Sequence, residues 1–154
     1  MLVSVEMRVR GPVLALDYGT RRIGLAVSDA EASFAFPAGF LACRGRKRDL
    51  AALGELINER DIRSVVVGLP LHMDGSRGET ALAAEKFANE VAESTGLPVE
   101  LIDERWTTQA AERALAESRS GRKKRRTAVD ATAATLLLRT WLERTANAAE
   151  GESA

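Results

Sequence analysis

Val13-Leu14-Ala15-Leu16-Asp17-Tyr18-Gly19, followed by Arg22-Ile23-Gly24-Leu25-Ala26-Val27-Ser28, is the stretch that decides the fold. Val13 to Leu16 is a continuous apolar run that reads as a buried strand, stopped by Asp17-Tyr18-Gly19. The chain resumes with Ile23, Leu25 and Val27 alternating on one face, so the two segments read as a hairpin. Asp17 therefore stands at the carboxyl end of a central strand, where ligand sites of open α/β sheets gather. A turn aspartate before Tyr18-Gly19 is the simpler alternative, since Asp readily bonds its neighbouring backbone.

Outward from this hairpin, Ser33 to Leu41 offers a third strand, which Pro37 and Gly39 weaken. Leu50, Leu53, Leu56 and Ile57 have helical spacing within Arg48 to Arg60. Val65-Val66-Val67 is a short buried strand. Ser76 and Glu79 have capping-box spacing for a helix reaching about Ser94, with Gly96 as its C-cap. Pro98 to Ile102 is a fifth strand, ending at Asp103-Glu104. Thr107 or Thr108 is expected to cap a helix to about Glu117, and Ser118 to Arg126 reads as a basic loop. Thr127 is expected to open a last helix to about Arg144, leaving 146–154 as a disordered tail beyond a single domain spanning 1–145. Hairpin strands first, then strands alternating with helices, predict an α/β fold: a mixed five-stranded sheet with helices on both faces.

With 154 residues, the chain suffices for one domain that buries roughly two-thirds of its unfolded surface. The net charge is zero, so attraction to nucleic acid or a membrane must come from local clustering. The single cysteine, Cys43, excludes an internal disulfide and fits a reducing compartment. Met1 to Arg10 lacks a signal-peptide core, and the apolar run from Ala128 to Leu138 is broken by Asp130 and too short to span a bilayer. A soluble cytoplasmic protein is expected, with no membrane partner.

Carboxylates that interrupt apolar patterns are the functional signal. Asp103 and Glu104 end one strand, and only one of them can face Asp17 if the strand stays regular; the other can simply pair with Arg105. Positions 130, 133, 134, 137, 138 and 141 share a helical face and read Asp, Ala, Ala, Leu, Leu, Trp. Asp130 thus lies on a stripe that should be buried, where a carboxylate needs a partner such as a cation. It also has capping-box spacing from Thr127, and the two roles are compatible. Acids converging from two strand ends and a helix start suit hard divalent cations, Mg2+ or Mn2+, which take oxygen ligands and promote phosphodiester hydrolysis. No Cys/His cluster suggests zinc, and His72 is the sole histidine.

Arg119, Arg122, Lys123, Lys124, Arg125 and Arg126 crowd into the loop before Asp130. Such runs are commonly solvated faces, but this position suits phosphate binding without sequence choice. Arg21 and Arg22 add to the same field. One tyrosine and four phenylalanines argue against an aromatic stacking platform. Trp106 and Trp141 are expected in core packing, although Trp106 is also placed to stack on a base.

Leu16-Asp17-Tyr18-Gly19-Thr20 with Ile23-Gly24-Leu25-Ala26-Val27 resembles the opening motif of the YqgF/RuvX family. Val66-Val67-Gly68-Leu69-Pro70-Leu71 with Met73-Asp74-Gly75-Ser76, then Lys86-Phe87-Ala88, Asp103-Glu104-Arg105 with Thr107-Thr108, and Val129-Asp130 with Ala133-Ala134 are similar to its later blocks. The resemblance covers residues 13–143 in order. It implies an RNase H-like fold related to RuvC-type resolvases. It also implies a nuclease that processes the 5′ end of pre-16S ribosomal RNA, with resolution of branched DNA junctions as the older proposal. By this resemblance Asp17, Glu104 and Asp130 are the catalytic, metal-binding acids, with Asp103 the runner-up for the middle position. RuvC-type enzymes carry a further acid where this chain has Ala133 and Ala134, so a fourth ligand is missing or comes from Asp29 or Asp74. His72 stands where the family pattern suggests Asn.

Two other classes fit parts of the sequence. Asp17-Tyr18-Gly19-Thr20 also resembles the phosphate-binding turn of the actin and sugar-kinase superfamily, which would make the chain an ATP-binding module, though no second such turn is present. A non-catalytic RNA-binding ribosome-assembly factor with vestigial acids is the third reading. RNA or DNA substrate, internal or terminal cutting, the number of metal ions, and monomer or dimer are all compatible with the sequence.

Overall fold

The computed structural model describes residues 11–107 and 132–152. In chain order these form β1 (Val13–Tyr18), β2 (Arg22–Ser28), β3 (Ala35–Ala42), α1 (Arg46–Glu59), β4 (Ser64–Leu69), α2 (Glu79–Thr95), β5 (Val99–Asp103) and α3 (Ala133–Glu152). The strands make one five-stranded sheet in the order β3-β2-β1-β4-β5. β1, β2 and β3 pair antiparallel, while β1–β4 and β4–β5 are parallel. The mixed sheet expected from the sequence is the one observed.

Strand alternation sorts the core into two layers. Leu14, Leu16, Ile23, Leu25, Val27, Val65, Val67 and Val99 pack under α1 and α2 against Leu53, Ile57, Phe87 and Val91. Val13, Ala15, Ala26, Val66 and Ile102 face the other way, onto Ala134, Leu137, Leu138, Trp141 and Leu142 of α3. β1 and β4 are buried on both faces, which is why they read as continuous apolar runs rather than alternating ones.

Some local expectations hold and others are corrected. β3 forms despite Pro37 because it is an edge strand; a register shift against β2 between Gly24 and Ala26 absorbs the irregularity, with Gly39 at φ 79°. The Ser76/Glu79 capping box does not form. Asp74 captures Ser76 instead, its Oδ1 accepting from Ser76 N (2.8 Å) and Oγ (2.6 Å), and α2 starts after Gly78 without a side-chain cap. Gly96 closes α2 in the left-handed conformation, as expected. The helical turn after β5 opens at residue 105, ahead of Thr107. Asp103 Oδ1 accepts from Arg105 N (2.9 Å) as a cap does, while Thr107 Oγ1 donates back to Glu104 O (2.6 Å).

α3 starts at Ala133, not Thr127, because Thr132 caps it: its Oγ1 accepts from Thr135 N at 3.2 Å. The helix continues to Glu152, through most of the stretch read as a tail. Its buried stripe holds Ala134, Leu137, Leu138 and Trp141 as expected, whereas Ala133, placed on the same stripe, is exposed; Trp141 Nε1 donates to Glu100 Oε2 at 2.8 Å. The helix expected beyond Thr108, the basic loop and Thr127 lie outside the described residues. Among the described residues, no helix is long and apolar enough to cross a membrane.

Candidate metal centre

Asp17 follows Val13 and Ala15 in the alternation of β1, so it faces α3. On β5, Ile102 packs under α3 and Glu100 bonds Trp141 there, and Glu104 continues that parity. The two carboxyl groups lie close enough for Asp17 to push the Glu104 carboxyl up.

Two glycines make room for the pair. Gly24 lies opposite Asp17 in the β1–β2 ladder; a Cβ there would sit 3.4 Å from Asp17 Cβ and 3.6 Å from Ala134 Cβ. Gly68 follows Val67, the parallel partner of Leu16, so it flanks Asp17 on the other side. A Cβ on Gly68 would collide with Glu104 Oε1 and lie 3.0 Å from its Cγ. Neither role is evident from the sequence motifs alone. The available signal was a glycine inside each of two strand patterns, which often marks close approach.

Burial pushes the Glu104 carboxyl up to about 7, with the Asp17 and Asp103 charges adding to it. Asp103, one residue earlier, lies on the opposite face, where its neighbour Leu101 packs with the α1/α2 layer. Arg105 grips it through Nε (3.1 and 3.0 Å) and Nη2 (2.7 Å), and these bonds hold its carboxyl below the ordinary value. Arg105 Nη1 also donates to Met73 O (3.3 Å), tying the loop after β4 to the end of β5. The structure therefore brings Glu104, and not Asp103, to Asp17.

Neither candidate fourth acid joins them. Asp29 accepts from Ser33 N and Phe34 N, both at 2.8 Å. Its neighbour Ser28 bonds Val13 N at 2.8 Å, placing Asp29 at the opposite end of β1 from Asp17. Asp74 is occupied with Ser76. Among the described residues, no group of three or more His, Cys, Asp or Glu is arranged to hold a metal. Asp130 lies outside the described residues, as do Arg122, Lys123, Lys124, Arg125 and Arg126.

The donor set that is present fits a hard divalent cation. It consists of two carboxylates, one of them pushed toward its neutral form by the other and by burial, and a cation between them would reverse both effects. Arg22 projects on the same face as Gly24 and lies over the Phe40 ring, 5.1 Å from its centroid. Arg21 is exposed, its carbonyl accepting from Cys43 N at 2.9 Å. Trp106 packs against the α3 layer, as expected, and Arg144 stacks 3.7 Å from its ring centre.

A family model described as "RuvX: Holliday junction resolvase" matches residues 11–144. A Koribacter versatilis protein named "Putative pre-16S rRNA nuclease" is 45% identical over 136 residues, covering 88% of this chain and 89% of its own. A Myxococcus xanthus protein of the same name is 45% identical over 130 residues, covering 84% and 86%. Among solved structures, Thermus thermophilus RuvC in complex with a Holliday junction substrate superposes with a TM-score of 0.58 at 17% identity, covering 89% of this chain and 97% of its own. That likeness shows a shared RNase H-like fold.

Proposed function

The chain belongs to the RuvX family, and on that premise we propose that it is a divalent-metal-dependent nuclease acting on the 5′ end of pre-16S ribosomal RNA. The observation that carries this reading is the meeting of Asp17 and Glu104 on the α3 face, between two glycines whose missing side chains make room for the pair. Relatives at 45% identity bear the rRNA-nuclease name, which favours that substrate over branched DNA.

Asp17 and Glu104 would hold Mg2+ or Mn2+, with Asp130 as third ligand. Ala134 touches the site beside Gly24, and Asp130 is four residues upstream (134 − 130), within about 14 Å even for an extended chain. A bound cation supplies Lewis acidity at the phosphodiester and neutralises the charge that develops there. Asp17 and Glu104 would orient the attacking water beside the scissile phosphate. Arg22, Arg21 and the cluster of Arg122, Lys123, Lys124, Arg125 and Arg126 hold the phosphates of the flanking strand. Asp103 takes no metal in this reading; its fork with Arg105 keeps the Asp103–Arg105 turn in place so that Glu104 points to Asp17. The enzyme works in the cytoplasm.

The family model's description keeps junction resolution as the second reading. The test is Mg2+- or Mn2+-dependent cleavage of a pre-16S rRNA leader and of a four-way DNA junction, by wild type and Asp17→Asn. Cleavage of the leader that stops with chelator, and falls at least about a hundredfold in Asp17→Asn, is the expected result. Preference for the junction would select resolution. Undiminished cleavage by Asp17→Asn would remove the proposed role of the pair. Absence of any metal-dependent cleavage would leave an RNA-binding assembly factor.

A further inference from the structure

Phe40 is 63% exposed although it sits within a strand. It pairs directly with Gly24, and Gly24 pairs with Asp17, so the three form one row across β3, β2 and β1. Cross-strand partners point to the same face, which puts the Phe40 ring on the face of Asp17 and Glu104. Its neighbour Leu41 packs into the opposite layer, as alternation requires. Two strand spacings separate Phe40 from Asp17, about 10 Å. Gly24, between them, has no side chain to obstruct the path. Arg22 lies over one face of the ring at 5.1 Å and is itself exposed, so the ring and the guanidinium stacked on it both reach solvent.

We infer that Phe40, with Arg22 stacked on it, is a platform for single-stranded nucleic acid, the ring taking a base next to the cleaved bond and the guanidinium its phosphate. This rests on the nuclease reading above. An exposed ring with an exposed guanidinium on it matches the two chemical parts of a nucleotide, and stacking of this kind tolerates any base. A second copy of the chain is a poorer occupant. The other phenylalanine exposed within β3, Phe36, pairs with Val27 and belongs to the opposite face, so the two do not form one apolar patch. Phe40 would set where the strand lies, while the acids determine what is done to it.

The test is binding of a fluorescent single-stranded oligouridylate by the full chain with metal chelated, so that no cleavage is needed. Phe40→Ala should raise Kd about tenfold. Phe40→Trp should bind as tightly as wild type, and Phe36→Ala should not differ from it. On an abasic oligomer, Phe40→Ala and wild type should bind alike. The inference is overturned if wild type does not bind, if Phe40→Ala matches wild type, if Phe36→Ala loses as much, or if the difference persists on the abasic oligomer. It is equally overturned if sedimentation shows a dimer that Phe40→Ala dissolves while affinity per protomer is unchanged. Because this readout needs no catalysis, a chain that stacks bases but never cleaves would refute the nuclease reading alone. One that cleaves with Phe40 irrelevant would refute the platform alone.

Discussion

Where β1 and β5 end, the two faces of the sheet treat charge in opposite ways. On the α1/α2 side, the charged groups beside the strand ends are set against opposite charges. Asp103 is forked by Arg105, Arg46 pairs with Glu90 at 2.6 Å, and the same guanidinium lies over the rings of Tyr18 and Phe87. On the α3 face, one residue along each strand, Asp17 meets Glu104, acid against acid, and the Glu104 carboxyl is pushed up to about 7. The first arrangement is what folding favours. The second is destabilising by itself, with glycines on both sides where larger residues would pack. Sites that conflict with local stability in this way mark function.

The sharpest way to break this contrast is Asp17→Asn, whose expected loss of cleavage is the largest. Gly68→Ala comes next. It touches no proposed ligand, yet its methyl group occupies the place of the Glu104 carboxyl, so cleavage should fall roughly 10- to 100-fold. Gly24→Ala meets its neighbours at ordinary contact distance and should lose much less. Equal activity of Gly68→Ala and wild type in the leader assay would show that Glu104 is not confined there.

A smaller effect concerns pH. The folded Glu104 carboxyl stands at about 7 against an ordinary 4.5, so the folded state holds its proton more tightly than the unfolded chain. Its contribution to stability is full below about 4.5 and is lost as pH rises through about 7. Urea unfolding in chelator should show this decline between those values. Asp17→Asn should flatten it, and added Mg2+ should reverse it at high pH. A profile unchanged by Asp17→Asn would mean that Asp17 does not push the Glu104 carboxyl up.

Much of this was legible in the sequence. The hairpin of β1 and β2 was readable because buried strands carry long apolar or alternating runs, and Asp17 was visible as the acid that ended one. Choosing between Asp103 and Glu104 was not possible, because alternation says that the two diverge but not which face carries the site. Only the packing of Leu101 and Ile102 on opposite layers fixes that. At Ser76 a nearer competitor, Asp74, takes the backbone N–H and the hydroxyl that a capping box would use, while the described helix α3 is capped by Thr132. Phe40 was counted only as one of few aromatics, since a phenylalanine in a strand is normally core. Its exposure goes with the position of β3 at the edge of the sheet.

The most direct test of the two faces is a titration of Mn2+ into the chelator-treated protein, comparing wild type with Glu104→Gln and Asp103→Asn. The expected result is that Glu104→Gln weakens binding at least about tenfold, while Asp103→Asn binds Mn2+ as wild type does. Loss of binding in Asp103→Asn with Glu104→Gln unaffected would place the metal on the other face and contradict the assignment.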